Sequence, residues 1–225
     1  MSCRLVVQEL GSRPYAEVLE LQRSLARQRV TGELADDLLL LVEHEPVVTL
    51  GRGTRPQSLP LSAADLNRRG VQQYEVERGG DATFHGPGQL VGYPILDLRE
   101  HREDLHWYLR TLEEALIRGL DTLSIAAVRN PGLTGVWTRG RKIASIGIHV
   151  KQWVTFHGFA LNINTDLSYF DLIVPCGIQD VVMTSVAMEL GRTDGALWGE
   201  TRRAVVEGFA QAFDAAPAES SSSLV

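Results

Sequence analysis

The side chains best able to make and break covalent bonds in this sequence are one thiol and one amine. Cys176 stands between Pro175 and Gly177, after the apolar run Leu172-Ile173-Val174. That is a tight turn, and a turn gives a thiol access that a core position does not. A free thiol has a pKa near 8.5, so only a few per cent is thiolate at neutral pH. A neighbouring ammonium favours the thiolate, whereas a neutral amine takes the proton as a general base. Lys142, in Gly140-Arg141-Lys142-Ile143-Ala144-Ser145, is a candidate for either role. The spacing does not separate the two roles, because the titrations of such a pair are coupled. Taken alone, a buried free cysteine and a solvated strand-end lysine remain open readings.

A third segment runs from Arg78 to Leu90, Arg-Gly-Gly-Asp-Ala-Thr-Phe-His-Gly-Pro-Gly-Gln-Leu, between two apolar strands. Its glycines allow positive φ and close approach of backbone to a ligand. Free N–H groups in such a loop can face a carbonyl or an anion. A Gly-Pro-Gly turn also serves simply as a turn, but the segment is long for a plain hairpin. In the strand that follows Gly140, alternation puts Lys142, Ala144, Ile146 and Ile148 on one face and Ile143, Ser145, Gly147 and His149 on the other. The small residues Gly79, Gly80, Ala144, Gly147, Gly158 and Ala160 leave room for an apolar tunnel. His85, His149 and His157 are pocket candidates, although a hydrogen-bonded structural histidine is the commoner case.

These residues need elements to hold them. CRLVVQEL, the runs DDLLLLVEHEP and VVTLG (strands or a hairpin), QQYEVER and LVGYPILDL read as strands. So do the runs IAAV, GVWT, KIASIGIHV and WVTFHGFALNIN. Helical spacing appears over residues 14–29, with Pro14 in the first turn, and over 62–69. The clearest helix runs from Asp104 to Leu120, with Leu105, Tyr108, Leu109, Leu112, Leu116 and Leu120 along one face. Leu197, Val205, Phe209 and Phe213 mark a C-terminal helix. Strands follow one another in the second half without crossover helices. The expected fold is therefore α+β, a mixed, largely antiparallel sheet with flanking helices. Residues 1–214 read as one domain, and the small, Ser-rich stretch 215–225 as a disordered tail.

Composition narrows the class. The chain has 225 residues, 44% hydrophobic and 22% charged, with a net charge of −6. It can bury a sizeable core unaided, and its charge disfavours nonspecific nucleic-acid binding. Arg139, Arg141 and Lys142, and Arg52, Arg55, Arg68, Arg69 and Arg78, are possible basic patches on which an acidic carrier could dock. The same charges are equally readable as a solvated scatter. Cys3 and Cys176 form no disulfide framework. No signal peptide or membrane-spanning run is evident, so a cytoplasmic location and a monomer are the defaults. GRGTRP lacks the third glycine of a dinucleotide fingerprint, and the histidines and cysteines show no zinc spacing.

RGGDATFHGPGQLVGYPILDL, then GVWTRGRKIASIGIHV, then VPCGI, in that order, resemble the lipoyl(octanoyl) transferases of lipoate biosynthesis over about residues 5–210. The resemblance implies a fold similar to biotin and lipoate protein ligases. It implies transfer of an octanoyl group from octanoyl-acyl carrier protein to a lysine ε-amino group. The acceptors it implies are lipoyl domains of 2-oxoacid dehydrogenase E2 subunits and the glycine-cleavage H protein. It carries the acylated cysteine onto Cys176 and its lysine partner onto Lys142. It carries substrate contacts onto Arg78, Gly79, Gly80, Asp81, Ala82, Thr83, Phe84 and His85. Further contacts fall on Ser145, Ile146 and Gly147, and on Gly158, Phe159 and Ala160. No metal or other cofactor is implied. Thioester exchange is near thermoneutral and amide formation from a thioester runs downhill, so the route needs no ATP. Two rivals share the fold or the partner: an ATP-dependent lipoate or biotin-type ligase, and a non-catalytic module that binds acylated carriers.

Overall fold

The computed structural model describes residues 3–174 and 181–219. In chain order the elements are β1 (Cys3–Arg13), α1 (Tyr15–Thr31), β2 (Asp37–His44), β3 (Val47–Leu50), α2 (Ala63–Arg68), β4 (Gln72–Glu75), β5 (Ala82–His85) and β6 (Gln89–Ile95). They continue with α3 (Leu105–Thr122), β7 (Val136–Thr138), β8 (Arg141–Lys151), β9 (Val154–Asn162), α4 (Val186–Leu190), α5 (Leu197–Phe213) and β10 (Ala215–Glu219). Seven strands form one sheet in the order β10-β1-β2-β6-β9-β8-β7, and β4-β3-β5 form a second. The pairs of β1 with β10 and with β2 are parallel, as is β3 with β4; the other pairs are antiparallel. The fold is thus the mixed, mainly antiparallel α+β arrangement expected.

β2 explains how the large sheet is covered on both sides. Its run of leucines alternates faces: Leu39 and Leu41 join the core under α3 and α5, while Leu38, Leu40 and Val42 join the core under α1. A strand buried on both faces is apolar throughout rather than alternating. α1 follows Pro14 and ends at Gly32, a left-handed C-cap with φ 80°. α3 starts at Asp104, whose carboxylate accepts from the N–H groups of His106 (2.9 Å) and Trp107 (3.0 Å). It crosses α5 closely because Gly208 presents no side chain to the Ala115 carbonyl. Leu105, in the first turn, is exposed instead of joining the apolar face. No helix among the described residues is long and apolar enough to cross a membrane.

Three sequence expectations need correction. β2 and β3 are not a hairpin: Glu45-Pro46 turns the chain out of one sheet and into the other. Residues 125–128 form no strand; Ile125 packs in the core, and Val128 makes only an isolated bridge to Trp137. Residues 215–219 are not a disordered tail but the edge strand β10, with Leu5 opposite Pro217. Low hydrophobicity argued for disorder, yet backbone pairing with β1 needs no apolar side chain, and an edge strand tolerates proline. Residues 220–225 lie outside the described residues.

Candidate active site

A cleft forms where the loop between β4 and β5 leans over β6, β9 and β8 of the large sheet. It is narrow, with a cavity volume of about 50 Å³. Its walls include Arg78, Gly80, Asp81, Ala82, Thr83 and His85 from the loop and β5. They also include Ser145, Ile146 and Gly147 from β8, and Gly158, Phe159 and Ala160 from β9. The pairing of β8 with β9 sets Ser145 opposite Ala160 and Gly147 opposite Gly158, so the two triplets share one floor. Ala144, Ile146, Ile148 and Val150 pack toward the core beneath α3 and α5. Ile143 departs from simple alternation: it joins that same core, beside the irregular register at Val136 and Trp137.

Two expected contacts lie off the cleft wall. Phe84 packs on the far side of β5, stacked on Tyr169 with ring centres 4.7 Å apart. Its direction follows from strand alternation, since Thr83 and His85 point into the cleft. Gly79 donates its N–H to the Ile148 carbonyl (2.8 Å) and ties the loop to β8 from outside the lining. Tyr15, Val91, Tyr93 and His157 complete the walls. The signal for Val91 and Tyr93 was their shared parity on β6. Tyr15 was legible only as a core position of α1.

Arg78 lines the cleft but spends its fork on the protein. Nη1 donates to the carbonyls of Gly79 (3.1 Å) and Asp81 (2.7 Å). Nη2 donates to the carbonyl (2.7 Å) and hydroxyl (2.9 Å) of Thr49. The loop's shape is therefore held by one buried guanidinium. Asp81 accepts from Ser58 Oγ (2.7 Å) and from the Ala82 N–H (2.7 Å). Ser58 in turn accepts the Val174 N–H at its carbonyl (2.9 Å), so the chain leading to Cys176 leaves from the rim of this loop.

The histidines and tyrosines at the cleft are neutral at pH 7. Burial lowers the pKa of His85 to about 3 and of His44 to about 4. Burial, aided by the Arg78 charge, lowers His157 to about 3. Burial raises the Tyr15 and Tyr93 hydroxyls, so both stay protonated. His85 Nδ1 lies 2.8 Å from Gln89 Oε1, which can only accept, so the ring proton sits on Nδ1. By the same logic His44 donates from Nδ1 to the Arg13 carbonyl and accepts from Tyr93 at Nε2 (2.8 Å). His149 does not line this cleft; it sits 3.1 Å from the Glu77 carbonyl in an outer groove.

Lys142 is buried at the near end of the floor, three positions before Ser145 on β8, and is not part of the cleft lining. Its Nζ lies 5.0 Å from the centre of the Trp137 ring. Gly135, at φ 129°, allows this: a Cβ there would stand 2.8 Å from Lys142 Cε. The Gly135 N–H is held by Glu113 Oε1 (3.1 Å). The main chain of Lys142 is bonded in both directions to one segment, its N–H to the Val182 carbonyl (2.8 Å) and its carbonyl to the Thr184 N–H (2.9 Å). Asn162 donates to the Thr184 carbonyl (3.0 Å) and accepts from Gln89 (2.9 Å), which links this segment to His85. Cys176 lies outside the described residues. The described chain stops at Val174 beside Ser58 and resumes at Val181 beside Lys142.

The two basic patches survive only in part, with Arg52, Arg55, Arg69 and Arg139 exposed. Lys142 and Arg78 are buried, Arg141 pairs with Glu189 (2.8 Å), and Arg68 pairs with Asp65.

Comparison with known proteins agrees with this layout. The family model for the lipoyl protein ligase A/B catalytic domain matches residues 14–210. An octanoyltransferase of Nostoc sp. is 49% identical over 203 residues, 90% of this chain and 89% of that protein. One of Solibacter usitatus is 52% identical over 182 residues, covering 81% and 82%. Among solved structures, a bipartite lipoate protein ligase of Thermoplasma acidophilum, described with its E2 lipoyl domain, superposes with a TM-score of 0.72 at 18% identity, over 100% of this chain and 88% of that one. A biotin protein ligase of Aquifex aeolicus gives 0.50 at 12% identity, over 95% and 70%. At such identities these two likenesses speak for the fold.

Proposed function

This chain belongs to the lipoyl protein ligase A/B catalytic-domain family, and on that premise we propose that it moves an octanoyl group from acyl carrier protein to a lysine of a lipoyl domain, through a thioester on Cys176. The observation that carries the reading is its near 50% identity to octanoyltransferases over most of both chains. The cleft supports it: Gly80, Ala82, Gly147, Gly158 and Ala160 leave space along its walls, and the charges of Arg78 and Asp81 are bonded to the protein's own loop. At about 0.8 kcal/mol per buried CH₂, an eight-carbon chain gains several kcal/mol there.

The chemistry runs in two steps. The Cys176 thiolate attacks the carbonyl carbon of the donor thioester, and the carrier's thiol leaves with a proton. The neutral ε-amine of the acceptor lysine then attacks the Cys176 thioester. The C–N bond forms, the C–S bond breaks, and the amine's proton passes to a base. Lys142 is that partner, stabilising the thiolate as an ammonium and accepting the proton as an amine. Its main-chain bonds to residues 182 and 184 anchor the chain downstream of Cys176, while the Ser58 carbonyl holds the Val174 N–H upstream of it. Backbone N–H groups near the loop are suited to the oxyanion, at about 3–4 kcal/mol per donor. The acceptors are lipoyl domains of 2-oxoacid dehydrogenase E2 subunits and the glycine-cleavage H protein, and transfer uses no ATP.

Mixing the protein with octanoyl carrier protein and quenching tests this by intact mass. The expected result is one added octanoyl group, located on Cys176 and absent from Cys176→Ala. Transfer that survives Cys176→Ala, or that requires ATP and free octanoate, would overturn the mechanism.

A further inference from the structure

Two voids are lined by side chains that approach each other, His157 on one and Glu77 on the other. His157 is part of the cleft wall, and an outer groove is lined by Arg23, Ala26, Val30, Glu77, His149 and Phe156. His157 Nε2 and Glu77 Oε2 stand 3.5 Å apart, and neither makes a hydrogen bond among the described residues. Gln22 reaches the same point: its Oε1 accepts the His157 N–H (2.9 Å), while its Nε2 has no partner among the described residues. His157 is 2% exposed and Gln22 0%.

The strand register gives the cleft a direction. Lys142 is the second residue of β8, Ser145 and Gly147 follow, and Ile148 pairs with His157. From Ser145 to Ile148 the floor runs about 10 Å, at about 3.4 Å per residue. His157 therefore closes the end far from Lys142. A chain entering from Lys142 meets Gly147, Gly158, Phe159 and Ala160 first. A chain one carbon too long meets polar atoms that hydrocarbon cannot satisfy, and burying them against it is costly.

We propose that the His157–Glu77 pair is the stop that sets acyl chain length, a partition between the cleft and an outer groove floored by Ala26, Val30 and Phe156. The proposal rests on the acyl-transfer reading above. Neutral His157 makes the pair a weak contact rather than an ion pair, so it divides space more than it binds the two walls together.

The test uses the full chain with acyl carrier thioesters of eight, ten and twelve carbons, in the wild type, His157→Gly and Glu77→Ala. His157 sits at φ 58°, which glycine adopts without strain. The wild type is expected to lose kcat/KM steeply beyond eight carbons. In His157→Gly the ten-to-eight ratio should rise about 15-fold, at about 4-fold per added methylene. An unchanged ratio in a folded variant that still transfers eight carbons overturns the proposal. Should His157→Gly fail to fold, Glu77→Ala decides alone, by the same ratio. Calorimetric titration with octanoate, decanoate and dodecanoate reads the stop without transfer. Wild type that binds by length yet transfers nothing would sink the function reading and leave the stop standing; equal affinities across lengths would sink the stop.

Discussion

Replacing Arg78 by Met separates two meanings of its place in the Arg-Gly-Gly-Asp loop. As a substrate ligand, Arg78 should affect binding and little else. The structure instead gives it bonds to three backbone carbonyls, those of Thr49, Gly79 and Asp81, and two to the Thr49 hydroxyl. It is 6% exposed. Methionine fills much of the stem's volume but leaves those carbonyls without their donor. An orphaned buried acceptor costs about 1–3 kcal/mol, and water reaching the loop rim recovers part of this, so the expected loss is about 3–4 kcal/mol. For a chain of this size each kcal/mol lowers Tm by about 2–4 °C, which predicts a fall of about 10 °C. Arg78→Lys keeps the charge but cannot span the same acceptors, and should fall between Met and wild type. Differential scanning calorimetry reads the stability, and octanoyl transfer from carrier protein reads the activity. Arg78→Met that melts within about 2 °C of wild type while losing transfer would refute the scaffold assignment and make Arg78 a substrate ligand.

Other perturbations test neighbouring parts. Phe84→Ala should cost about 3–5 kcal/mol in urea unfolding, because its ring is core on the far side of β5. Chain-length preference should be unchanged in the folded fraction, and a shifted preference would return Phe84 to the cleft wall. Asn162→Leu orphans the Thr184 carbonyl and should lower kcat more than it raises KM, since the segment paired with Lys142 loses an anchor; an effect on KM alone would break that link. His44, His85 and His157 have folded pKa values lowered to about 4, 3 and 3, from 6.5. The unfolded chain therefore binds more protons below that value. Their stability contribution is complete above pH 6.5 and is lost as pH falls toward 3–4, by at most about 2 kcal/mol per ring at pH 5. Urea titrations at pH 7 and pH 5 should show the loss, and equal stabilities would mean that the rings titrate normally.

Sequence patterns located the parts of this site that lie along one strand or one loop. The β8 triplet Ser145–Gly147 and the β9 triplet Gly158–Ala160 reach the cleft together because antiparallel pairing brings short contiguous segments face to face. The leucine run of β2 announced a strand covered on both faces for a similarly local reason. Parity also separates Phe84 from Thr83 and His85, once it is known which face of β5 looks inward. Motif membership had grouped all three, since a contiguous motif does not say which of its members face the ligand. The edge strand β10 was hidden because it is held by backbone pairing, to which composition is blind.

The far end of the cleft was beyond such reading. Gln22 comes from α1, Glu77 from the loop after β4, and His157 from β9 at φ 58°. None of the three has a sequence neighbour that predicts the others, and their meeting depends on α1 packing across β6 and β9. Local signals find Lys142 at the near end and the glycine loop over the cleft, because their residue types are unusual for strands and turns. The closure is made of ordinary residues whose property of interest is an unmet hydrogen bond, and that exists only after folding. If chain length is set there, relatives with the same motifs can differ in acyl preference through positions that no motif contains.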